Sequence, residues 1–483
     1  MTYAVQRRGL ALALLAATQF VLVLDASIVG VALPSIGTDL TVAPENLSWV
    51  ANAYTLTFGG LLLLGGRAAD LLGRRRTFIT GMALFALASL AGSLSTNAAV
   101  LIGARAVQGV GAAIVAPAAL SLVMTIFTPD SGRNMAMGVF GAVAGAGGAV
   151  GSILGGVLTE WLGWEATLYV NVPIGALVIA LAPRLLPEAS DSTARGIDVA
   201  GAVSATSGLA LLVYALVDAN NAGWASVQTL VLGALALGMF ALFVFAEARS
   251  AHPLVPLRIF RSPSLRGANV AALLTTMAMF PLFFYLTFYM QQVLHYGPIG
   301  AGLAQLPLAL SIAVTAGTAS SVIARFGVRT PMVAGLLITA AGLGWFSRMS
   351  ADGGFLTDVL GPTLVIGVGS GLAFVTTTVG ATSGISAEQA GLASGLFTTS
   401  QQVGGSLGLA VVVAVATAGT AVALDGGERV MAMALTHGYQ AGMLTAAAIA
   451  LLAGLIAAVV MPSRAAARID RADPEPATSP VTI

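Results

Sequence analysis

The sequence predicts an all-α membrane protein with fourteen transmembrane helices, and three observations support this fold class. Hydrophobic residues make up 57% of the chain and charged residues only 8%, against about a quarter charged in ordinary soluble domains. Apolar runs of about 20 residues, the length that crosses a bilayer as a helix, recur between Gly, Pro and charged positions. The arginines also lie almost entirely on one side of the resulting topology.

Each predicted span is an apolar run bounded by polar, Gly or Pro residues. Arg7 and Arg8 precede the first run, which is too long for a signal peptide and lacks its small-residue cleavage site, so we expect an uncleaved helix. In chain order the predicted cores are 9–31, 47–64, 77–95, 99–122, 135–159, 167–186, 199–218, 226–248, 266–293, 301–324, 331–349, 358–379, 394–420 and 438–461.

Alternate threading of these spans separates the charged connections. All 21 basic residues are Arg, of which Arg105 lies inside a span and Arg348 and Arg429 fall on the far side. The other eighteen share the side on which the chain begins: Arg7, Arg8, Arg67, Arg74, Arg75, Arg76, Arg133, Arg184, Arg195, Arg249, Arg258, Arg261, Arg266, Arg325, Arg329, Arg464, Arg468 and Arg471. The positive-inside rule therefore predicts that both termini are cytoplasmic.

The composition excludes several function classes. Because the chain has no Lys, it lacks the Walker phosphate loop of an ATP motor and cannot form a Schiff base. Because it has no Cys, disulfides, thiolate metal sites and Cys nucleophiles are excluded. Its three histidines, His252, His295 and His437, are too dispersed to suggest a metal site. No nucleophile and base converge as an enzyme would require, and no connection is long enough for a signalling domain.

Two charged residues stand inside apolar spans, Asp25 in the first and Arg105 in the fourth. An ion in the bilayer interior costs at least ~2.5 kcal/mol on insertion scales, and such residues usually serve ion or substrate movement. Counting along the two helices places both in the outer third of the membrane. The sequence therefore predicts a transport role for this pair.

Two stretches recur at an offset of eight helices. The loop Asp70–Arg75 after the second span resembles Ala324–Arg329 after the tenth, and the Gly-rich fifth span has its counterpart in the thirteenth. An offset of eight predicts two six-helix bundles separated by an inserted helix pair. The predicted division is 1–186 for the first bundle, 187–265 for the inserted helices with their linkers, 266–461 for the second bundle and 462–483 for a Pro-rich, disordered cytoplasmic tail.

At these loops the chain resembles the major facilitator superfamily, and specifically its fourteen-span drug:proton antiporter branch. The first cytoplasmic loop matches the superfamily pattern at Gly66, Asp70, Gly73, Arg74 and Arg75, and departs from it at two positions, Ala68 and Leu71. The resemblance implies that Asp70 pairs with guanidinium groups and latches the cytoplasmic face in one state. The alternative is an orienting loop of positive charge without a gating role.

The fourth span resembles the branch at Arg105, Gln108, Gly109 and Gly111, a motif whose Arg is implicated in proton transfer. We therefore expect Asp25 to bind the coupling proton beside Arg105. Burial favours the neutral carboxyl and a guanidinium favours the carboxylate, so proton and substrate would compete as solvent access alternates. The alternative is a permanent bond of Asp25 to Arg105 or to the backbone that only fixes helix packing.

The fifth span carries Gly151, Ser152, Gly155 and Gly156, where antiporters of the superfamily have a Gly-Pro-x-x-Gly-Gly signature. Serine replaces the proline, which weakens the expectation of antiport, and small-residue helix packing without a transport role remains the alternative. Further stretches extend the resemblance over nearly the whole chain: Leu168–Gly175, which contains Asn171, His252–Phe260, Gly391–Gly395 and Gln401–Gly405.

Candidate substrate-contacting residues lie on three spans. The ninth span concentrates aromatic side chains, and if their face lines the cavity it offers stacking and cation–π contacts, whereas if it faces lipid it is only hydrocarbon cover. Trp49 is equally well explained by an interfacial aromatic belt, and Gln401 with Gln402 by bonds between helices. The candidates are Trp49, Asn52, Tyr54, Phe280, Phe284, Tyr285, Phe288, Gln291 and Gln401.

The resemblance implies a proton-coupled antiporter that exports hydrophobic or cationic drug-like compounds by alternating access. It would need no cofactor beyond the proton gradient, bind no metal and no nucleic acid, and act as a monomer in the cytoplasmic membrane with both termini inside. Its expected partners are small lipophilic or cationic substrates, protons and the lipid bilayer. The alternative is proton-linked uptake or export of one specific metabolite or natural product.

Overall fold

The structure is a computed structural model that describes residues 2–127, 132–188, 199–250, 253, 255, 259, 262–382 and 390–461. Within these residues every regular element is helical. Eleven of the described helices are long and apolar enough to cross a membrane, so the predicted all-α membrane fold is confirmed, whereas the count of fourteen crossings stays a prediction. The predicted tail 462–483 lies outside the described residues.

The helices cover the predicted cores, although some begin or end up to eight residues away and the sixth and tenth cores are each divided into two helices. In the first part of the chain they are α1 (Thr2–Asp39), α2 (Pro44–Leu72), α3 (Arg74–Ser93), α4 (Ala98–Ile126), α5 (Arg133–Leu162), α6 (Glu165–Tyr169), α7 (Asn171–Leu185), α8 (Val199–Ala222) and α9 (Val227–Arg249). In the second part they are α10 (Pro263–Phe288), α11 (Pro298–Ala304), α12 (Leu306–Phe326), α13 (Arg329–Phe346), α14 (Leu360–Thr382), α15 (Ala390–Asp425) and α16 (Met431–Val460).

Several helices depart from the simple apolar runs. The predicted span 167–186 is divided at Val170 into α6 and α7, and Pro173, which has no N–H to donate, lies in the first turn of α7. A π-helical turn, Tyr289–Val293, extends α10, and a second one, Phe355–Val359, precedes α14.

Helix α1 extends eight residues beyond the predicted core, to Asp39. Pro34 lies inside this extension, and the helix continues through it. Asp25 consequently lies nearer the middle of its helix than the shorter predicted span implied.

The helices pack in two sets. Within the first, α2 and α3 pack on α4, and α1 packs on α5 and α7; within the second, α10 packs on α15 and α16, and α14 on α12 and α13. The sets meet where α2 packs on α15, α5 on α11 and α1 on α10. Helix α8 packs on α9, α2 and α15, so it covers the seam between the two sets.

Two hydrogen bonds join the sets at one end of the molecule. We call the end with the connection between α1 and α2 the α1–α2 face, and the end with Gly73 the α2–α3 face. At the α1–α2 face, Gln291 Nε2 donates to Val31 O at 3.0 Å and Ile299 N donates to Glu160 Oε2 at 3.0 Å. The sets are therefore closed against each other at the α1–α2 face.

Candidate functional site

Asp25 and Arg105 form an ion pair in the interior of the first helix set. Arg105 Nη1 lies 2.6 Å from Asp25 Oδ2. Asp25 is 0% exposed and Arg105 1% exposed, so neither charge reaches solvent in this conformation. Removing one partner of such a pair would leave an uncompensated buried charge.

Three uncharged residues complete a ring of hydrogen bonds around Asp25 Oδ1. Gln108 Nε2 donates to Asp25 Oδ1 at 2.7 Å and to Ser89 Oγ at 2.7 Å. Asn171 Nδ2 donates to the same two atoms, at 2.7 Å and 3.3 Å. The four N–H groups of the two amides thus all point at Asp25 Oδ1 and Ser89 Oγ, which is the arrangement a carboxylate requires because it can only accept.

Arg105 has further partners besides Asp25. Its Nε donates to Val50 O at 3.1 Å, and its Nη1 donates to Gln108 Oε1 at 2.7 Å. Its guanidinium carbon lies 4.4 Å from the centroid of the Tyr54 ring, a distance that permits a cation–π contact. The cluster therefore joins α1, α2, α3, α4 and α7.

Glycines allow these helices to approach closely enough for the cluster to form. A Cβ at Gly109 would lie 2.4 Å from Tyr54 O, and one at Gly111 would lie 2.7 Å from Phe85 N. Both contacts are with backbone that cannot move aside, so α2 and α3 meet α4 only because these positions have no side chain. The fourth-span motif thus places Arg105 and Gln108 and also supplies the surfaces on which α2 and α3 pack.

The fifth-span motif presents two faces. A Cβ at Gly151 would lie 2.9 Å from Leu24 O, and one at Gly155 would lie 2.7 Å from Ile28 O, so both residues pack against α1. The other face meets the second helix set, where a Cβ at Gly156 would lie 2.6 Å from Pro298 O.

Ser152, which stands where the superfamily has proline, also faces the second helix set. Its Oγ lies 2.9 Å from Gln305 Oε1, and Gln305 Nε2 donates to Thr287 Oγ1 at 3.1 Å. A proline could not make this bond.

The loop between α2 and α3 is held by ion pairs. Arg74 Nη2 lies 3.3 Å from Asp70 Oδ1, and Arg75 Nε lies 3.2 Å from Glu188 Oε2. Gly73 has φ +97°, a conformation that glycine adopts without strain. Gly66 meets only ordinary contacts, since a Cβ there would lie 3.5 Å from Pro117.

The aromatic residues of α10 lie in the protein interior. Phe284 and Phe288 stack with ring centroids 4.3 Å apart, and the ring of Tyr285 lies 5.0 Å from that of Tyr439 on α16. Phe284 is 6% exposed, whereas Phe283 on the opposite side is 37% exposed. Phe280 is half-buried, and a Cβ at Gly405 of α15 would lie 3.4 Å from its ring. The buried face is therefore turned away from lipid.

The remaining candidates are scattered. Trp49 packs against Tyr214 of α8 and borders an open pocket of about 510 Å³ at the α1–α2 face, which Thr41, Asn46 and Ile102 also line. Asn52 is fully buried, and neither atom of its amide has a hydrogen bond to any residue that the structure describes. Gln401 is half-buried on α15.

Two members of the cluster carried little signal in the sequence. Ser89 is a single hydroxyl in an apolar helix, where serine commonly bonds only its own backbone. The sequence marked Asn171 only as part of a stretch that resembles the family. An amide in an apolar helix does, however, usually form a hydrogen bond to a neighbouring helix. Glu188, which pairs with Arg75, follows α7 closely and was not distinguished from any other loop acid.

The chain is similar to known transporters over most of its length. It matches the family profile of the Major Facilitator Superfamily over residues 15–409. It is 43% identical to the cephamycin export protein CmcT of Amycolatopsis lactamdurans, over 85% of this chain and 85% of that protein. It is 41% identical to the puromycin resistance protein pur8 of Streptomyces alboniger, over 95% and 92%.

A third relative and one solved structure complete the comparison. Identity with the tetracenomycin C resistance and export protein of Streptomyces glaucescens is 37%, over 80% of this chain and 72% of that protein. The crystal structure of the POT family transporter PepTSo has the same fold, with a TM-score of 0.69 at 18% identity, covering 97% of this chain and 99% of that one. The chain is a multi-pass membrane transporter that belongs to the Major Facilitator Superfamily.

Proposed function

We propose that the chain is a proton-coupled antiporter that exports hydrophobic, antibiotic-like compounds. The buried ion pair of Asp25 with Arg105 carries the proposal. Charged residues inside a membrane protein are energetically costly, and those that occur usually serve ion or substrate movement. Three relatives that cover most of the chain are by name export or resistance proteins for cephamycin, puromycin and tetracenomycin C. These names support export of a compound of this kind.

Proton binding would change the cluster in a defined way. A proton on Asp25 converts the ion pair with Arg105 into a hydrogen bond to a neutral carboxyl, which is weaker. Arg105 would still have Val50 O, Gln108 Oε1 and the Tyr54 ring as partners. Because the guanidinium does not titrate, the proton resides on Asp25 alone. Protonation thus loosens the attachment of α1 to α4 without leaving Arg105 unpartnered.

Alternating access would follow from movement of the two helix sets. In our proposal the bundles 1–186 and 266–461 rock against each other, with the helices of 187–265 beside them. The closed α1–α2 face would be the outer face, since the distribution of Arg predicts that both termini are cytoplasmic. The ion pairs Asp70–Arg74 and Arg75–Glu188 would then hold the cytoplasmic loop.

The proposed substrate contacts follow from the interior aromatics. Tyr285 of α10 lies against Tyr439 of α16, and Phe284 and Phe288 stack on each other in the interior. Stacked rings of this kind suit flat, lipophilic or cationic molecules. We propose that a monomer in the cytoplasmic membrane binds them one at a time, and that protons drive the exchange.

Inside-out vesicles with a pH gradient test the direction and the coupling together. Vesicles that contain the protein should accumulate puromycin or another lipophilic antibiotic, and vesicles with Asp25→Asn should not. Asp218→Asn is the matched control, because Asp218 is a half-buried acid of α8 that accepts from Gln228 and lies far along the chain from the cluster. Gradient-driven accumulation that survives Asp25→Asn would contradict the proton role and favour a purely structural ion pair. If the vesicles lose antibiotic instead of accumulating it, the direction of transport is uptake into the cell.

A further inference from the structure

We propose that Asn171 is a positioning residue that follows the protonation state of Asp25 by rotating its side-chain amide. The inference rests on the proposed proton coupling. Asn171 is 0% exposed and is the first residue of α7. Its Nδ2 contacts Asp25 Oδ1 and Ser89 Oγ, while its Oδ1 is buried without a hydrogen bond.

The present orientation of the amide is the one that a carboxylate demands. Asp25 Oδ1 as a carboxylate oxygen accepts only, so the NH₂ end of Asn171 must face it. The opposite end of the amide, Oδ1, meets no donor in the part of the chain that the structure describes. Nothing on that side therefore holds the amide, and its orientation depends on Asp25 and Ser89 alone.

A proton on Asp25 Oδ1 reverses this requirement. The oxygen then carries a hydrogen that needs an acceptor, and an Nδ2 group facing it would oppose that hydrogen. A half-turn of the amide would bring Asn171 Oδ1 to the same place, where it could accept from the Asp25 hydroxyl and from the Ser89 hydroxyl. Gln108 cannot turn in the same way without losing the bond from Arg105 Nη1 to its Oε1. Asn171 is thus the amide of the ring that is free to respond.

The charged and titratable groups around Asp25 are few. Arg105 of α4 contacts it, and Tyr54 of α2 lies over the Arg105 guanidinium. From α3 and α7 the contacts are the uncharged Ser89 and Asn171, and from α5 the nearby residue is Gly151, packed on Leu24. A response of Asn171 to pH would therefore report Asp25 and no second acid in this cluster.

Infrared difference spectroscopy of the full-length protein tests the proposal without transport. Acid titration in detergent, with isotope-labelled asparagine, should show the carboxyl band of protonated Asp25 and, at the same pH, a shift of one labelled amide band. Asp25→Asn should remove both changes. Asn171→Leu should remove the amide change while the carboxyl band of protonated Asp25 remains, because leucine has no amide that could turn.

The control is Asn269→Leu, which removes a buried amide of α10 that is bonded to Leu265 O and Ser400 Oγ. It should leave both bands and their titration unchanged. An Asp25 carboxyl band that appears while the labelled amide band stays fixed would overturn the inference and leave the proton coupling intact. The labelled wild type gives this answer even if Asn171→Leu does not fold. If no carboxyl band that depends on Asp25 appears at any pH, the proposed function is overturned as well.

Discussion

Arg105 is the residue whose loss should destabilise the interior of this transporter most. Its guanidinium balances Asp25 and also bonds Val50 O and Gln108 Oε1. All of these groups are buried, so no water can replace the lost donors. The pair thus binds its helices together whether or not it also moves a proton.

We expect Arg105→Met to lower the free energy of unfolding by about 3–5 kcal/mol, because the substitution leaves Asp25 as an uncompensated buried charge. The double variant Asp25→Asn with Arg105→Met should recover most of the loss, since no charge then remains. Chemical or thermal unfolding in detergent measures the cycle. A double variant as unstable as Arg105→Met alone would show that the charge of Asp25 is not what destabilises the single variant.

For Asn52 we expect the opposite effect on stability from that of Arg105. Its amide is buried on α2 with both polar atoms unpaired, and an unsatisfied buried amide costs about 1–3 kcal/mol. Asn52→Leu should therefore raise stability by about that amount, as measured by unfolding in detergent. A stability that falls would mean that the amide has a partner in the ground state. If transport falls while stability rises, Asn52 serves the substrate in another conformation.

Sequence reasoning found Asp25, Arg105 and Gln108 because charge and motif spacing mark them in apolar surroundings. It could not find Ser89, since a lone serine in a helix carries no information about a neighbour some twenty residues away. Nor could it decide which way the aromatics of α10 face, because that helix is apolar all round. The contact of Tyr285 with Tyr439 is a product of tertiary packing.

Helix α5 packs on α1 through glycines, and this contact sets the position of the helix that carries Asp25. A Cβ at Gly155 would lie 2.7 Å from Ile28 O, while one at Gly148 on the same helix meets nothing within 4 Å. The two positions therefore form a matched pair for testing close packing on a single helix.

We expect Gly155→Ala to lower the unfolding temperature and transport, because the new methyl group must push α1 away at a cost of about 1–3 kcal/mol. Gly148→Ala should be neutral or stabilising by about 0.5–1 kcal/mol, since alanine favours the helix over glycine. Thermal unfolding and vesicle uptake measure both. Equal effects of the two substitutions would show that helix propensity decides the result, and close packing does not.

The helices themselves were predicted well because each needs only a long apolar run. The breaks within the helices were not predicted. The division of the sixth span at Val170 and the π-helical turn Tyr289–Val293 depend on local backbone geometry and on partners such as Asp358, which lies 3.0 Å from the Tyr289 hydroxyl. Hydropathy along the chain contains no information of this kind.

In the proposed alternating-access cycle, the face that is closed in this structure opens. Glu160 and Ile299 join the two helix sets at that face, and the chain has no Cys that would compete for a thiol reagent. A cross-link between these positions is thus a direct test of whether the sets separate there.

Cross-linking of the double variant Glu160→Cys with Ile299→Cys by a short, cleavable thiol reagent should abolish transport, and cleavage should restore it. Asp218→Cys with Gln228→Cys is the matched control, because Gln228 Nε2 bonds Asp218 Oδ2 at 2.6 Å within the pair of α8 and α9. The same reagent there should leave transport unchanged. Full activity of the cross-linked Glu160–Ile299 pair would contradict separation at this face.

The pairing of Asp25 with Arg105 also determines how the membrane potential would act on the carrier. With the carboxylate ionised, the cluster has no net charge, so a change in voltage does little work on it. With Asp25 neutral, the guanidinium leaves one positive charge in the bilayer, and a potential of about 100 mV acts on a fully transferred charge with about 2.3 kcal/mol. For an uncharged antibiotic, the electrical gradient would therefore drive the proton-loaded return step and leave the export step nearly untouched.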